Sequence, residues 1–147
     1  MKYKFKFSKK GIMHVTIILT YIAMLIFFLL VDYVMIIKFI NPMFQANIGG
    51  LIKDQFNVLA AGIFYLFYVT GVYWFGTLAG LRSGSVLTAV LSGAFLGLLA
   101  YGTFEITNFS MLKGWTIQMV IVDTLWGGIL GGATAGVGYY VSRAINL

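Results

Sequence analysis

Four uninterrupted apolar stretches limit most strongly what this chain can fold into. The sequence predicts helices over about 12–38, 58–80, 85–108 and 116–142. Each contains the roughly 20 residues that an α-helix needs to cross a hydrocarbon core about 30 Å thick. A transmembrane β-barrel would show alternating segments of about ten residues instead. We therefore predict an all-α integral membrane bundle of four transmembrane helices that forms a single domain over residues 1–147.

Turn-forming residues separate the apolar stretches. Asn41-Pro42 and Gly49-Gly50 are predicted to interrupt the first connection, which extends over about 41–57 and has room for a short amphipathic piece at the membrane interface. Thr116 is a predicted N-cap for the fourth helix. The connections are too short to hold a second domain.

The composition excludes several kinds of chemistry. Only 10% of the residues are charged, whereas a soluble domain normally carries about a quarter. The chain has no cysteine and one histidine, which excludes disulfide frameworks, thiolate metal sites and histidine-rich metal centres. We expect no cofactor, and the sequence assigns neither a catalytic nor a metal-ligating residue.

The basic residues predict the orientation in the membrane. Five lysines precede the first helix, and Arg82 and Arg143 lie on the same side, against Lys38, Lys53 and Lys113 on the other. The positive-inside rule then places both termini in the cytoplasm, and we expect a multi-pass protein of the bacterial inner membrane. Half of the ten basic residues lie in the N-terminal arm, and such arms are attracted to anionic headgroups. Membrane lipid is therefore an expected partner, and nucleic acid is not.

Three of the four acidic residues lie within or at the edge of apolar stretches, where ionisable groups are costly and usually functional or paired. A rise of 1.5 Å per residue puts Asp32 and Asp123 about 9 Å below the outer boundary and Glu105 near its edge. Asp54, in the first connection, is expected to be solvated beside Lys53. The sequence thus predicts that three carboxyls from three helices converge in the outer half of the bilayer.

Small residues at a spacing of four share a helix face with two of these acids. The rows are Ala89, Gly93, Gly97, Tyr101 and Glu105 on the third helix and Asp123, Gly127 and Gly131 on the fourth. Such rows are typical of faces where helix backbones approach closely, so the acids should point into the bundle. A second row, Gly128, Gly132 and Gly136, could pack against the same chain or a second protomer. A homodimer through these glycine-rich faces is one expected assembly.

The candidate ligand- or ion-binding residues are the three acids with their polar neighbours. They are Asp32, Glu105, Asp123, Asn108, Thr107, Tyr101, Lys113, Trp126 and Lys38. One interpretation is a purely structural network, neutralised by Lys38 or Lys113, as an accessory subunit would need. A second is a site that binds or transports a proton, a cation or a small polar solute. A third is a membrane enzyme acting on lipid or a lipid-soluble substrate. No known catalytic signature is present, so binding or transport is favoured over catalysis.

Three segments resemble the signature of a known family. They are Tyr101-Gly-Thr-Phe-Glu-Ile-Thr-Asn108, Leu112-Lys-Gly-Trp115 and Val122-Asp-Thr-Leu-Trp-Gly127. Together with Asp32 in an apolar first helix, they resemble the DUF2177 family of small bacterial four-helix membrane proteins. The resemblance implies four transmembrane helices and points to the same polar residues, but the family has no known function and supplies no substrate. Glu105 stands where the family pattern has an aspartate.

Overall fold

The computed structural model describes residues 9–145, with side-chain burial from residue 13 onward. The helices are α1 (Lys9–Met35), α2 (Asn41–Ile48), α3 (Val58–Gly71), α4 (Leu78–Ser83), α5 (Val86–Met111) and α6 (Ile117–Ile145). A π-helical turn over Ile36–Ile40 joins α1 to α2, and another over Val72–Thr77 joins α3 to α4. Within these described residues there is no β-strand.

Four helical stretches are long and apolar enough to cross a membrane: Met13–Leu51, Val58–Ser83, Val86–Met111 and Ile117–Ile145. The predicted all-α architecture with four spans is therefore confirmed. Lys2, Lys4 and Lys6, which contribute to the predicted orientation, lie outside the described residues. The cytoplasmic placement of both termini stays a prediction.

Side-chain caps define where the last three spans begin. The side chain of Asn57 accepts a hydrogen bond from the backbone N–H three residues on (3.0 Å), and Ser85 and Thr116 do the same for α5 and α6 (3.3 Å each). Such caps satisfy backbone donors that have no partner within the first turn of a helix. The predicted role of Thr116 is confirmed. Gly84 ends α4 with φ of 70°, the left-handed conformation that glycine adopts at low cost.

The first span ends later than the predicted position near residue 38. The helix continues through Asn41-Pro42 as α2 and ends at the turn over Gly49–Leu51. Proline lacks an N–H and is tolerated in the first turn of a helix, which is where Pro42 lies in α2. The preceding π-helical turn shifts the hydrogen-bond pattern, so that the N–H of Asn41 bonds to the carbonyl of Ile36, five residues back. The first span therefore extends into the first part of the predicted connection over 41–57.

The closest helix contact joins α5 to α6 through their glycines. A Cβ on Gly97 would overlap the backbone of Gly127, and a Cβ on Gly93 would overlap that of Gly131. The second row of α6 also packs within the chain, against α5 residues that include Val90, Ala94 and Leu98. Both glycine faces of α6 thus contact α5, and a homodimer through them stays a prediction. This packing makes α6 the most enclosed of the four spans.

Candidate functional site

Asp32 is buried on α1 and is held by an indole from α6. Its side chain is 3% exposed, and the indole N–H of Trp126 donates a hydrogen bond to its Oδ1 (3.0 Å). The hydroxyl of Tyr65 on α3 interacts with the same carboxyl. Phe28 and Met24, four and eight residues earlier, are fully buried on the same face of α1. The face that α1 presents to the bundle therefore ends in a carboxyl that contacts two other spans.

Glu105 is fully buried on α5, and Trp115 binds it from the turn before α6. The indole N–H of Trp115 donates to Oε2 of Glu105 at 2.7 Å. Gly114 adopts φ of 86° in this turn, a conformation that favours glycine and brings the chain back towards α5. The ring of Trp115 is fixed by edge-on contacts with Phe44 (5.3 Å between ring centroids) and Phe104 (5.5 Å).

Trp115 is a site residue that the sequence analysis missed, because a tryptophan at the predicted membrane boundary is typical of an interfacial anchor. The sequence signal that was present is the glycine directly before it, since a turn there can return the indole to the preceding helix.

The third acid, Asp123 on α6, interacts with both of the others. It is 8% exposed and lies near enough to Glu105 and Asp32 to interact electrostatically with both. Oε1 of Glu105 is buried and has no hydrogen-bond donor among the described residues. Two ionised carboxyls cannot hydrogen-bond to each other, because each is only an acceptor. Asp123 and Glu105 therefore cannot satisfy each other while both are ionised.

Neither predicted lysine neutralises these acids. Lys38 lies in the π-helical turn and Lys113 in the turn before α6, and both are exposed. Among the side chains that the structure describes, no ion pair involves Asp32, Glu105 or Asp123. The structure thus contradicts a network neutralised by Lys38 or Lys113. The same described residues contain no group of three or more acidic, histidine or cysteine side chains that could hold a metal ion.

The remaining candidates divide between the buried acids and other surfaces. Tyr101 is half-buried, packs over Gly127 and contacts the ring of Tyr68 edge-on (6.1 Å between centroids). Thr107 is exposed, because it lies two residues beyond Glu105 and so on a different face of α5. Asn108 is half-buried, and its side chain makes no hydrogen bond to a described residue. Of the nine candidates, Asp32 and Trp126 are joined by a hydrogen bond, and Asp123 and Tyr101 interact electrostatically with Asp32.

A cavity of about 790 Å³ opens beside Asp32, between the first span, the first connection and α3. Its walls are mostly aliphatic and aromatic, and Asp32 and Tyr65 form part of the lining. Lys53 and Asp54 also line it. Both lie in the connection that precedes α3, which begins at Val58. Seven residues of α3, about 10 Å of helix, separate that start from Tyr65. The cavity thus leads from a charged connection to a buried carboxyl, and the sequence analysis did not predict it.

Comparisons with known proteins give a family and one partial relative. A family model described as "Predicted membrane protein (DUF2177)" matches residues 17–140. Among curated proteins, the MFS-type transporter efuF of Hormonema carpetanum is 37% identical over 82 residues, which are 51% of this chain and 16% of that transporter. The chain therefore spans only about one sixth of the length of that relative. No solved structure matches the chain.

Proposed function

This chain belongs to the DUF2177 family of predicted membrane proteins, and we propose that it binds a proton, a cation or a small polar solute at its buried carboxyls and carries it through the membrane. The proposal places the protein in the bacterial inner membrane with both termini in the cytoplasm. A role in transport, rather than in catalysis, also agrees with the name of the partly matching transporter, although the match covers only 16% of that protein.

The single observation that carries the proposal is the burial of three carboxyls that pair with no cation among the described residues. Asp32, Glu105 and Asp123 are 3%, 0% and 8% exposed, and each lies in a helix long enough to span a membrane. A buried charge is strongly unfavourable unless it is paired and hydrogen-bonded. Indole N–H groups bind Asp32 and Glu105, and the Tyr65 hydroxyl interacts with Asp32, but none of these donors carries a positive charge. The missing compensation is what a bound proton or cation would supply.

The test is ligand-dependent stability of the purified full-length protein. We expect its melting temperature in detergent to change with pH or with added cations. Asp32→Asn, Glu105→Gln and Asp123→Asn should reduce this response. Gln118→Ala is the control, since Gln118 is an exposed polar residue of α6 that does not line the cavity, and it should respond as the wild type does.

A wild-type melting temperature that is insensitive to pH, to cations and to polar solutes would contradict the proposal without any variant. An undiminished response in the triple variant would contradict it as well. Uptake of protons or cations by proteoliposomes containing the wild-type protein then distinguishes transport from binding alone.

A further inference from the structure

The cavity beside Asp32 is much larger than a proton or an inorganic ion requires. Its volume of about 790 Å³ lies within the range of pockets that hold small organic molecules, about 300–1,000 Å³. Such pockets are mostly apolar, with a few polar groups that fix the orientation of the ligand. The size of this cavity therefore points to an organic ligand.

The side chains of the cavity walls indicate the chemistry of the larger part of that ligand. The apolar lining includes Leu29, Ile36, Ile40 and Phe44 of the first span and Phe56 of the connection that follows it. These side chains offer no hydrogen bonds, so they favour an aliphatic or aromatic body of matching size.

The charged residues of the lining indicate which polar group the ligand carries. The lining contains two carboxyls, Asp32 and Asp54, and one lysine, Lys53, so its formal charge is negative. Lys53 and Asp54 are adjacent in sequence and offset each other near the connection, which leaves Asp32 as the uncompensated charge. Tyr65 presents an aromatic ring beside Asp32, and such rings attract cations. A neutral lipid chain would fill the walls and leave the carboxyl uncompensated.

We propose that this cavity binds an organic cation, an amine or quaternary ammonium with an apolar body. Its nitrogen lies against Asp32 and Tyr65, and its body lies against the aliphatic and aromatic walls. This inference rests on the proposed function and names the class of solute that the buried carboxyls accept.

The experiment compares three probes that share one body and differ in charge: phenylbutylamine, phenylbutanol and phenylbutyrate. Their binding to the full-length protein in lipid nanodiscs is measured by calorimetry, and empty nanodiscs correct for partition into lipid. We expect the amine to bind at least about tenfold more tightly than the alcohol, and the carboxylate not to bind. Asp32→Asn should remove the preference for the amine and leave the affinity for the alcohol unchanged.

A second pair of variants tests the cavity without changing its charge. Ile37 lines the cavity, whereas Ile129 is an exposed isoleucine of α6 outside it, with side chains 45% and 63% exposed. Ile37→Trp should abolish amine binding by filling the space, and Ile129→Trp should leave it unchanged. Because both positions are exposed, both variants should fold.

Each remaining outcome is decisive. Equal binding of the amine and the alcohol would show an apolar groove for lipid and overturn the inference. Absence of amine binding, with the response to pH or inorganic cations intact, would overturn the inference and leave the proposed function standing. If the wild-type protein neither binds the amine nor responds to pH or inorganic cations, both the inference and the proposed function are overturned.

Discussion

At the scale of single residues, the site depends on two indole groups that each serve a different carboxyl. An indole N–H can only donate, and here Trp126 donates to Asp32 and Trp115 to Glu105. Trp126 lies three residues from Asp123 in the sequence, but its indole binds Asp32, 94 residues away. A pairing of this kind depends on how α1 lies against α6, which helical spacing within one segment cannot predict.

The bond from Trp115 to Glu105 predicts a specific loss of stability. Trp115→Phe keeps a ring for the contacts with Phe44 and Phe104 but removes the only described donor to the carboxyl of Glu105. We expect the free energy of unfolding in detergent to fall by about 1–3 kcal/mol, since a buried acceptor loses its partner. Trp74→Phe is the matched control, because Trp74 is 58% exposed, and it should have little effect.

A double-mutant cycle checks that this loss comes from the hydrogen bond. Glu105→Leu, which removes the acceptor, should cost less in the Trp115→Phe background than in the wild type, because the two residues interact directly. Additive effects would contradict the assigned role of the bond. An equal loss from Trp74→Phe would do so too.

At the scale of helices, the spacing of residues in the sequence predicted contacts between helices that follow each other directly in the chain. Rows of glycine at a spacing of four predicted the close approach that α5 and α6 make, and Thr116 predicted the start of α6. The end of the first span could not be predicted in the same way. A proline usually breaks a helix. Pro42 is accommodated at the start of α2, directly after a π-helical turn. The cavity beside Asp32 was not predictable either, because it forms only where the first connection meets α1 and α3.

The contact between α5 and α6 predicts that Gly97 cannot accept a methyl group. A Cβ there would overlap the carbonyl oxygen of Gly127, and backbone cannot move aside as a flexible side chain can. We expect Gly97→Ala to lower the free energy of unfolding by about 1–3 kcal/mol through overpacking.

Gly62→Ala on α3 is the matched control for Gly97→Ala. A Cβ at Gly62 meets no atom within 4 Å. Alanine also favours a helix over glycine by up to about 1 kcal/mol, so this variant should be neutral or slightly stabilising. Equal melting temperatures for the two variants would contradict the close packing of α5 on α6.

At the scale of the whole molecule, α2, at the end of the first span, packs onto the start of α6. Phe44 contacts the ring of Trp115, and Ile48 packs in a buried cluster with Trp115, Met119 and Val120. Where the sequence analysis left room for a short amphipathic piece at the interface, the structure has α2, which continues the first span. Through Trp115, the same contacts reach Glu105. One end of the molecule therefore combines the connection, the cavity and the buried acids.

The arrangement of the four spans predicts which connections share a side of the membrane. An even number of crossings returns the chain to its starting side, so residues after the first and third spans should lie opposite those after the second and fourth. Since the chain has no cysteine, single cysteines can report this directly. We expect Lys53→Cys and Lys113→Cys to react with an impermeant maleimide in intact cells, and Arg82→Cys and Arg143→Cys to react only after permeabilisation. Labelling of all four in intact cells would contradict a single orientation, and the reverse pattern would contradict cytoplasmic termini.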